Sequence, residues 1–213
     1  MRQVERHWIK EGHYLYPICD DLSFKAKNLY NAGLYQIRQS IFERNKCQEE
    51  EEKTSILSWT ELVSQFRKEK QSDMLVLPSK VSTNILKILG SSINSYYQLL
   101  KCYHDKANLS VTSKPKLPRY LHKTEGRYVV EFTNQTFSKK RGSNGELILC
   151  PKDLKISIPT KVEHPQCVRI VPKLKAFVIE VIYEVEVLSL KHTGAYAAID
   201  LGVDNLASVT FSD

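Results

Sequence analysis

The chain has 213 residues, 42% of them hydrophobic, with a formal charge of +7 and a pI near 9.1. That length can bury one large core or two small ones, and no run approaches the roughly 20 consecutive apolar residues needed to span a bilayer. Met1–Lys10 holds no apolar secretory segment, so a soluble, intracellular protein is expected. The basic balance favours a polyanionic partner without saying whether it is nucleic acid or an anionic membrane.

In chain order, Gln3 to Lys10 reads as a short strand, followed by the breakers Gly12 and Pro17. Asp20 or Asp21 is the expected N-cap of a long amphipathic helix. Its apolar face is Leu22, Ala26, Leu29, Gly33, Ile37 and Ile41, at three- and four-residue steps. The acidic run Glu49 to Glu52 reads as a solvated loop or a frayed helix. Ser58 or Thr60 caps a second helix through Trp59, Leu62, Val63 and Phe66. Leu77-Pro78 breaks the chain, and a third helix runs from Ser79 to about Tyr103 with Val81, Ile85, Leu89, Ile93, Tyr96 and Leu100 on one face.

The pattern changes near residue 110. Two prolines keep Lys114 to Arg119 extended. Short β-prone runs follow at Tyr128 to Phe132, Leu147 to Leu149, Leu154 to Ile158, Cys167 to Val171 and Ala176 to Val187. Such runs predict an antiparallel barrel or sandwich. If the Gln3–Lys10 strand joins it, the helical segment is an insertion into a β domain. His192-Thr193-Gly194 reads as a linker, and Ala195 to Thr210 as strand, tight turn at Gly202, strand.

Cys19, Cys47, Cys102, Cys150 and Cys167 form no CxxC pair, so no zinc site is expected and the thiols read as reduced and packed. His104, His122, His164 and His192 have no metal-ligand spacing and read as surface or linker residues. A basic stretch lies between residues 114 and 141. Lys114, Lys116, Arg119, Lys123, Arg127, Lys139, Lys140 and Arg141 stand against only Glu125 and Glu131, with Tyr120 and Tyr128 interleaved. Cations alternating with aromatic faces suit single-stranded nucleic acid; a solvated basic loop is the plain alternative. Asp200 ends an apolar strand just before Leu201-Gly202. A carboxylate so placed can ligate Mg2+ in a two-metal nuclease, or simply open a turn.

The longer string Asp200-Leu201-Gly202-Val203-Asp204-Asn205-Leu206-Ala207 resembles the first RuvC motif of the TnpB/OrfB family, transposon-encoded relatives of the type V CRISPR effectors. Leu29-Tyr30-Asn31, Leu77-Pro78-Ser79-Lys80-Val81, Pro115-Lys116-Leu117-Pro118-Arg119-Tyr120 and Phe132-Thr133-Asn134-Gln135 resemble the same family in order and spacing. The resemblance implies an α+β chain, a wedge-type antiparallel β-barrel with an inserted helical recognition domain, followed by the first strands of a truncated RuvC domain. The bounds are then 1–19 for the first wedge strand, 20–110 for the helical domain, 111–191 for the barrel and 192–213 for the RuvC start.

It implies further an RNA-guided DNA endonuclease, in which the guide pairs with the target strand and side chains read a short flanking motif. Carried over by motif, Ser79, Lys80, Thr83, Thr133, Asn134 and Trp59 contact target DNA, with core packing the alternative for Trp59. The basic stretch binds guide RNA, and Asp200 is both catalytic carboxylate and Mg2+ ligand. The family's later glutamate, final aspartate and zinc-binding cysteines have no counterpart here, so the chain alone is expected not to cut DNA. A nuclease-deficient RNA- or DNA-binding regulator, or half of a split nuclease completed by a second chain, are the alternatives. A cytoplasmic, nucleoid-associated prokaryotic location goes with this reading.

Overall fold

The computed structural model describes residues 1–46, 56–105, 113–138, 140–150, 154, 156–186, 196–200 and 207–211. The chain divides into two units, Arg2–Glu184 and a smaller one comprising Met1 and Val185–Asp213.

The larger unit opens with strand β1 (Arg2–Lys10), and four helices follow before the next strand: α1 (Tyr16–Lys46), α2 (Trp59–Lys68), α3 (Ser72–Leu75) and α4 (Ser79–His104). Then come β2 (Val130–Thr133), β3 (Leu147–Leu149), β4 (Ile156–Ile158), β5 (Pro165–Lys173) and β6 (Ala176–Glu184). β1 pairs antiparallel with β6, from Arg2 opposite Glu184 to Lys10 opposite Ala176. The sheet order is β1-β6-β5-β2, so the helices are inserted between two strands of one sheet. β3 and β4 form a separate hairpin ladder. The fold is mixed α+β with antiparallel sheets.

A closed barrel is not what the described strands form: no ladder joins β1 to β2. The inner face of the sheet is covered rather than rolled shut. Val130, Phe132, Val168, Ile170, Ile179 and Val181 share one buried cluster with residues of α1, α4 and the β3–β4 hairpin. With helices burying that face, closure has no further apolar surface to gain.

The helix faces are those the periodicity predicts. Leu22, Ala26, Leu29, Gly33 and Ile37 of α1 are buried, as are Val81, Ile85, Leu89 and Ile93 of α4. α1 nevertheless begins four residues before the expected cap at Asp20. Pro17 lies in the first turn, where its missing N–H would have had no intrahelical partner. Asp20 is therefore inside the helix, free for a tertiary role. At α2, Ser58 and not Thr60 is the cap: its hydroxyl accepts from the Glu61 N–H, and Glu61 accepts from the Ser58 N–H at 2.8 Å. Two close approaches set the helix packing. A Cβ on Gly33 would lie 2.8 Å from Leu86 Cδ2, and one on Gly90 would lie 2.7 Å from Trp59 Cβ. The acidic run Glu49 to Glu52 lies outside the described residues.

The smaller unit contains the hairpin of β7 (Ala197–Asp200) and β8 (Ser208–Phe211), with Ile199 opposite Val209 and Asp200 opposite Ser208. The expected strands are present; the turn at Gly202 and the linker at His192 to Gly194 lie outside the described residues.

Candidate nucleic-acid interface

The segment from Pro118 to Tyr128 has no backbone partner strand, yet it is fixed. α1 holds it, through polar side chains that run down one stripe of the helix and through the main-chain carbonyl of Ser23. Arg38 Nη2 donates to Pro118 O at 2.6 Å and Tyr30 Oη to Arg119 O at 3.3 Å. Asn31 clasps Leu121 in both directions, its Nδ2 donating to Leu121 O and its Oδ1 accepting from Leu121 N, each at 2.9 Å. Lys27 Nζ donates to Lys123 O at 2.5 Å, and Ser23 O accepts from Tyr128 N at 3.0 Å. Asp20 closes the far end, taking Arg127 Nε at 2.7 Å and Nη2 at 3.0 Å. Leu117, Leu121 and Tyr128 point down onto the core, and Tyr128 stacks on Tyr30 with ring centroids 4.5 Å apart.

The strap's inner groups being engaged, the rest face solvent. Lys114, Lys116, Arg119, Tyr120 and Lys123 are exposed, and none of these four cations has an ion pair among the described residues. One face of Tyr120 is covered by the Arg38 guanidinium, 4.9 Å from the ring centroid, while the residue stays 46% exposed. The other predicted members of the basic stretch separate from this row. Arg127 is bound to Asp20, which raises its pKa. Arg141 is bound to the carbonyls of Val162, Glu163 and Gly145, pinning a turn to the segment before β5. Lys140 is exposed, and Lys139 lies outside the described residues. The stretch is thus two structures, a strap on α1 and a separate turn.

The residues carried over as DNA contacts also divide. Ser79 and Lys80 are exposed in the first turn of α4. Thr83 Oγ1 donates back to Ser79 O at 2.8 Å and accepts from Arg67 Nη2 at 3.2 Å. Arg67, missed by the sequence reading, adds a cation beside that helix start; only its place in the last turn of α2, just ahead of the Pro78 break, hinted at it. Thr133 ends β2 and accepts from Thr136 Oγ1 at 2.6 Å, with exposed Asn134 next to it. α4 and β2 are joined by Asn84 Nδ2 donating to Glu131 Oε1 at 3.1 Å. Trp59 is half-buried, its Cβ and ring against Gly90, so packing accounts for it.

Asp200 ends β7 on the hairpin face that also carries Ser208, while Ile199, Val209 and Phe211 lie on the other face and are exposed. Among the described residues no group of three or more His, Cys, Asp or Glu side chains is placed to hold a metal. One carboxylate gives at most two of the roughly six oxygens that Mg2+ requires, so these residues do not make up a Mg2+ site and no reaction step is derived through one.

Of the cysteines, Cys19 and Cys150 are buried and Cys102 and Cys167 half-buried. Burial, aided by Asp20, pushes Cys19 up to about 12. His104, His122 and His164 are exposed. No described helix is long and apolar enough to cross a membrane. No family model and no curated protein matches this sequence.

Proposed function

We propose that the chain is the guide- and target-binding portion of an RNA-guided DNA endonuclease of the TnpB kind, with the strap on α1 as its guide-RNA contact. The observation that carries this reading is the strap itself. Five α1 residues hold its backbone, and Arg119 and Lys123 on it, with Lys114 and Lys116 just before it, are exposed around a half-covered Tyr120. A pre-ordered row of cations meets a phosphate backbone with little ordering cost, and an aromatic face among them accepts a base.

Insertion of the helices between β1 and β2 supports the wedge-and-recognition arrangement the resemblance implies, with an open sheet in place of a barrel. Ser79, Lys80, Thr83 and Arg67 at the start of α4, with Thr133 and Asn134 at the end of β2, are assigned to the DNA duplex, since small polar groups and a helix N-terminus suit phosphate and base edges. Asp200 is assigned as one carboxylate of a nuclease centre whose remaining ligands the described residues do not supply.

The test is RNA recovery. Chain purified under nuclease-free conditions carries a discrete small RNA. Charge reversal of Lys114, Lys116, Arg119 and Lys123 to Glu removes it, and the same change at Lys140 does not. Recovery of the same RNA with the strap-reversed chain ends the assignment. A companion polypeptide in the purification marks a split nuclease.

A further inference from the structure

The four-stranded sheet has a second face, opposite the one that α1 covers, whose β1 side none of the assignments above uses. Tyr16 of α1 meets Phe177 edge-on at 5.3 Å, which fixes the helix side as that of Phe177. Side chains alternate along a strand, so Val178 points the other way. Residues opposite one another in an antiparallel ladder share a face. Toward the β5–β6 turn the outer face therefore carries one row of Trp8, Val178 and Val171, one of Arg6, Glu180, Arg169 and Glu131, and one of Lys10, Ala176 and Lys173; the row of Val4, Ile182, Cys167 and Thr133 and the Arg2–Glu184 pair lie toward its other end.

The carboxylates of this face are already engaged. Glu180 takes Arg6 Nε at 3.2 Å and Arg169 Nη2 at 2.7 Å, and Glu131 takes Asn84 at 3.1 Å. The Trp8 row lies between this neutralised row and one whose only charges are Lys10 and Lys173. Both lysines are exposed and have no ion pair among the described residues. Trp8 itself is 60% exposed, on a strand whose neighbouring Val178 is buried. An indole left in water costs hydrophobic free energy, and here it stands in the row of Val178 and Val171, beside that of Lys10 and Lys173.

We propose that this outer face is a separate stacking site for single-stranded nucleic acid, with the Trp8 indole as the base platform and Lys10 and Lys173 as phosphate contacts. The inference rests on reading the chain as nucleic-acid-binding, but not on the strap, which lies with α1 on the other side of the sheet. Every base presents a π face, so the platform takes sequence-independent strands. Charge complementarity decides against a protein partner that is itself basic, and the absence of a free carboxylate in the Trp8 and lysine rows leaves nothing to repel a phosphate.

The chain has two tryptophans, and Trp59 is packed on Gly90, so Trp8 is the solvent-facing reporter. Titration of the full chain with oligo(U) and oligo(dT) of about 12 nucleotides quenches tryptophan fluorescence, and the stronger arm says which sugar is preferred. Trp8→Ala removes the quench and weakens binding about tenfold, with an unchanged unfolding midpoint. Trp8→Phe, which keeps a ring, retains most of the affinity. Lys10→Glu with Lys173→Glu weakens binding and flattens the salt slope.

Oligonucleotide affinity in Trp8→Ala equal to that of the parent overturns the proposal, as does a quench that survives in that variant. So does a response to phosphatidylglycerol vesicles without one to oligonucleotides, since Leu174 at the β5–β6 turn is 95% exposed between two lysines and could instead enter a bilayer. The strap-reversed chain separates the two readings. A quench kept there supports the sheet site whatever becomes of the strap; a quench abolished there denies the sheet a site of its own.

Discussion

Lys27 is 1% exposed, its ammonium 3.9 Å from the centroid of the Phe24 ring and bonded to the Lys123 carbonyl. Burial, then the nearby Arg127 guanidinium, pulls its pKa below the ordinary lysine value. The acidic groups around the core shift the opposite way. Burial pushes Cys19, Tyr128 and Cys167 each up to about 12, from ordinary values of 9.0, 10.0 and 9.0. The neighbouring carboxylates Asp20 and Glu131 add to the shift at the two cysteines, and Tyr30 at the tyrosine. For each of these three groups the folded chain holds its proton more tightly than the unfolded one. Their contribution to stability is therefore complete below about pH 9 and is lost as pH rises toward 12. The melting temperature is expected to fall steadily over that window, and less steeply in Tyr128→Phe, which keeps the stack on Tyr30 without the ionisable hydroxyl. Calorimetric scans from about pH 8 to about pH 12 check this; a flat profile in the parent chain would show that these groups are not buried.

The strap and the α2–α4 crossing are where single changes act on whole elements. Asn31→Ala removes both bonds to Leu121 and strands its backbone groups, which costs about 2 kcal/mol. Asn31 has no charge, so any accompanying loss of RNA affinity reports positioning of the strap rather than a lost phosphate contact. Urea unfolding and RNA titration of the same variant read the two effects, and full RNA affinity in a destabilised variant would show that strap order does not matter to binding. At the crossing, a methyl on Gly90 meets Trp59 Cβ at 2.7 Å. That atom sits next to the α2 backbone, so the helix must move, and Gly90→Ala is expected to cost about 1–3 kcal/mol. An unchanged denaturation midpoint would place α2 elsewhere.

Across the whole molecule the net charge of +7 is unevenly spread. The sheet pairs its charges in the Arg6–Glu180–Arg169 row, while Lys114, Lys116, Arg119 and Lys123, in and just before the strap, have no ion pair among the described residues. If those four cations each meet a phosphate of a single strand, the slope of log affinity on log salt is about −2.8, and affinity drops about fifty-fold between 50 and 200 mM salt. Filter binding at several salt concentrations measures it. Asp200→Ala is expected to leave both slope and affinity unchanged, because that residue is assigned to the nuclease centre and not to the guide; a lower affinity would move Asp200 into the binding surface.

The apolar periodicity of the sequence determined the helices, because a stripe such as Leu22, Ala26, Leu29, Gly33 and Ile37 can be buried only by an α-helix. The same logic applied to strands placed Leu147–Leu149 and the start of β6 at Ala176. Binary pattern likewise separated the helical first half from the β-rich second. An excess of positive charge marks residues 114 to 141 in the sequence, but not which of those charges are free. That was decided by partners far away in sequence: Asp20 for Arg127, and the Val162 and Glu163 carbonyls for Arg141. A second stripe on α1, at Asp20, Ser23, Lys27, Asn31 and Arg38, has helical spacing and was legible as polar. Its role was not, since a polar stripe facing water and one clasping a strap have the same pattern. Closure of the sheet was equally beyond the sequence. Alternation specifies which side of a strand is buried, whereas what buries it, helices here instead of another strand, is fixed only when the elements compete for the same surface.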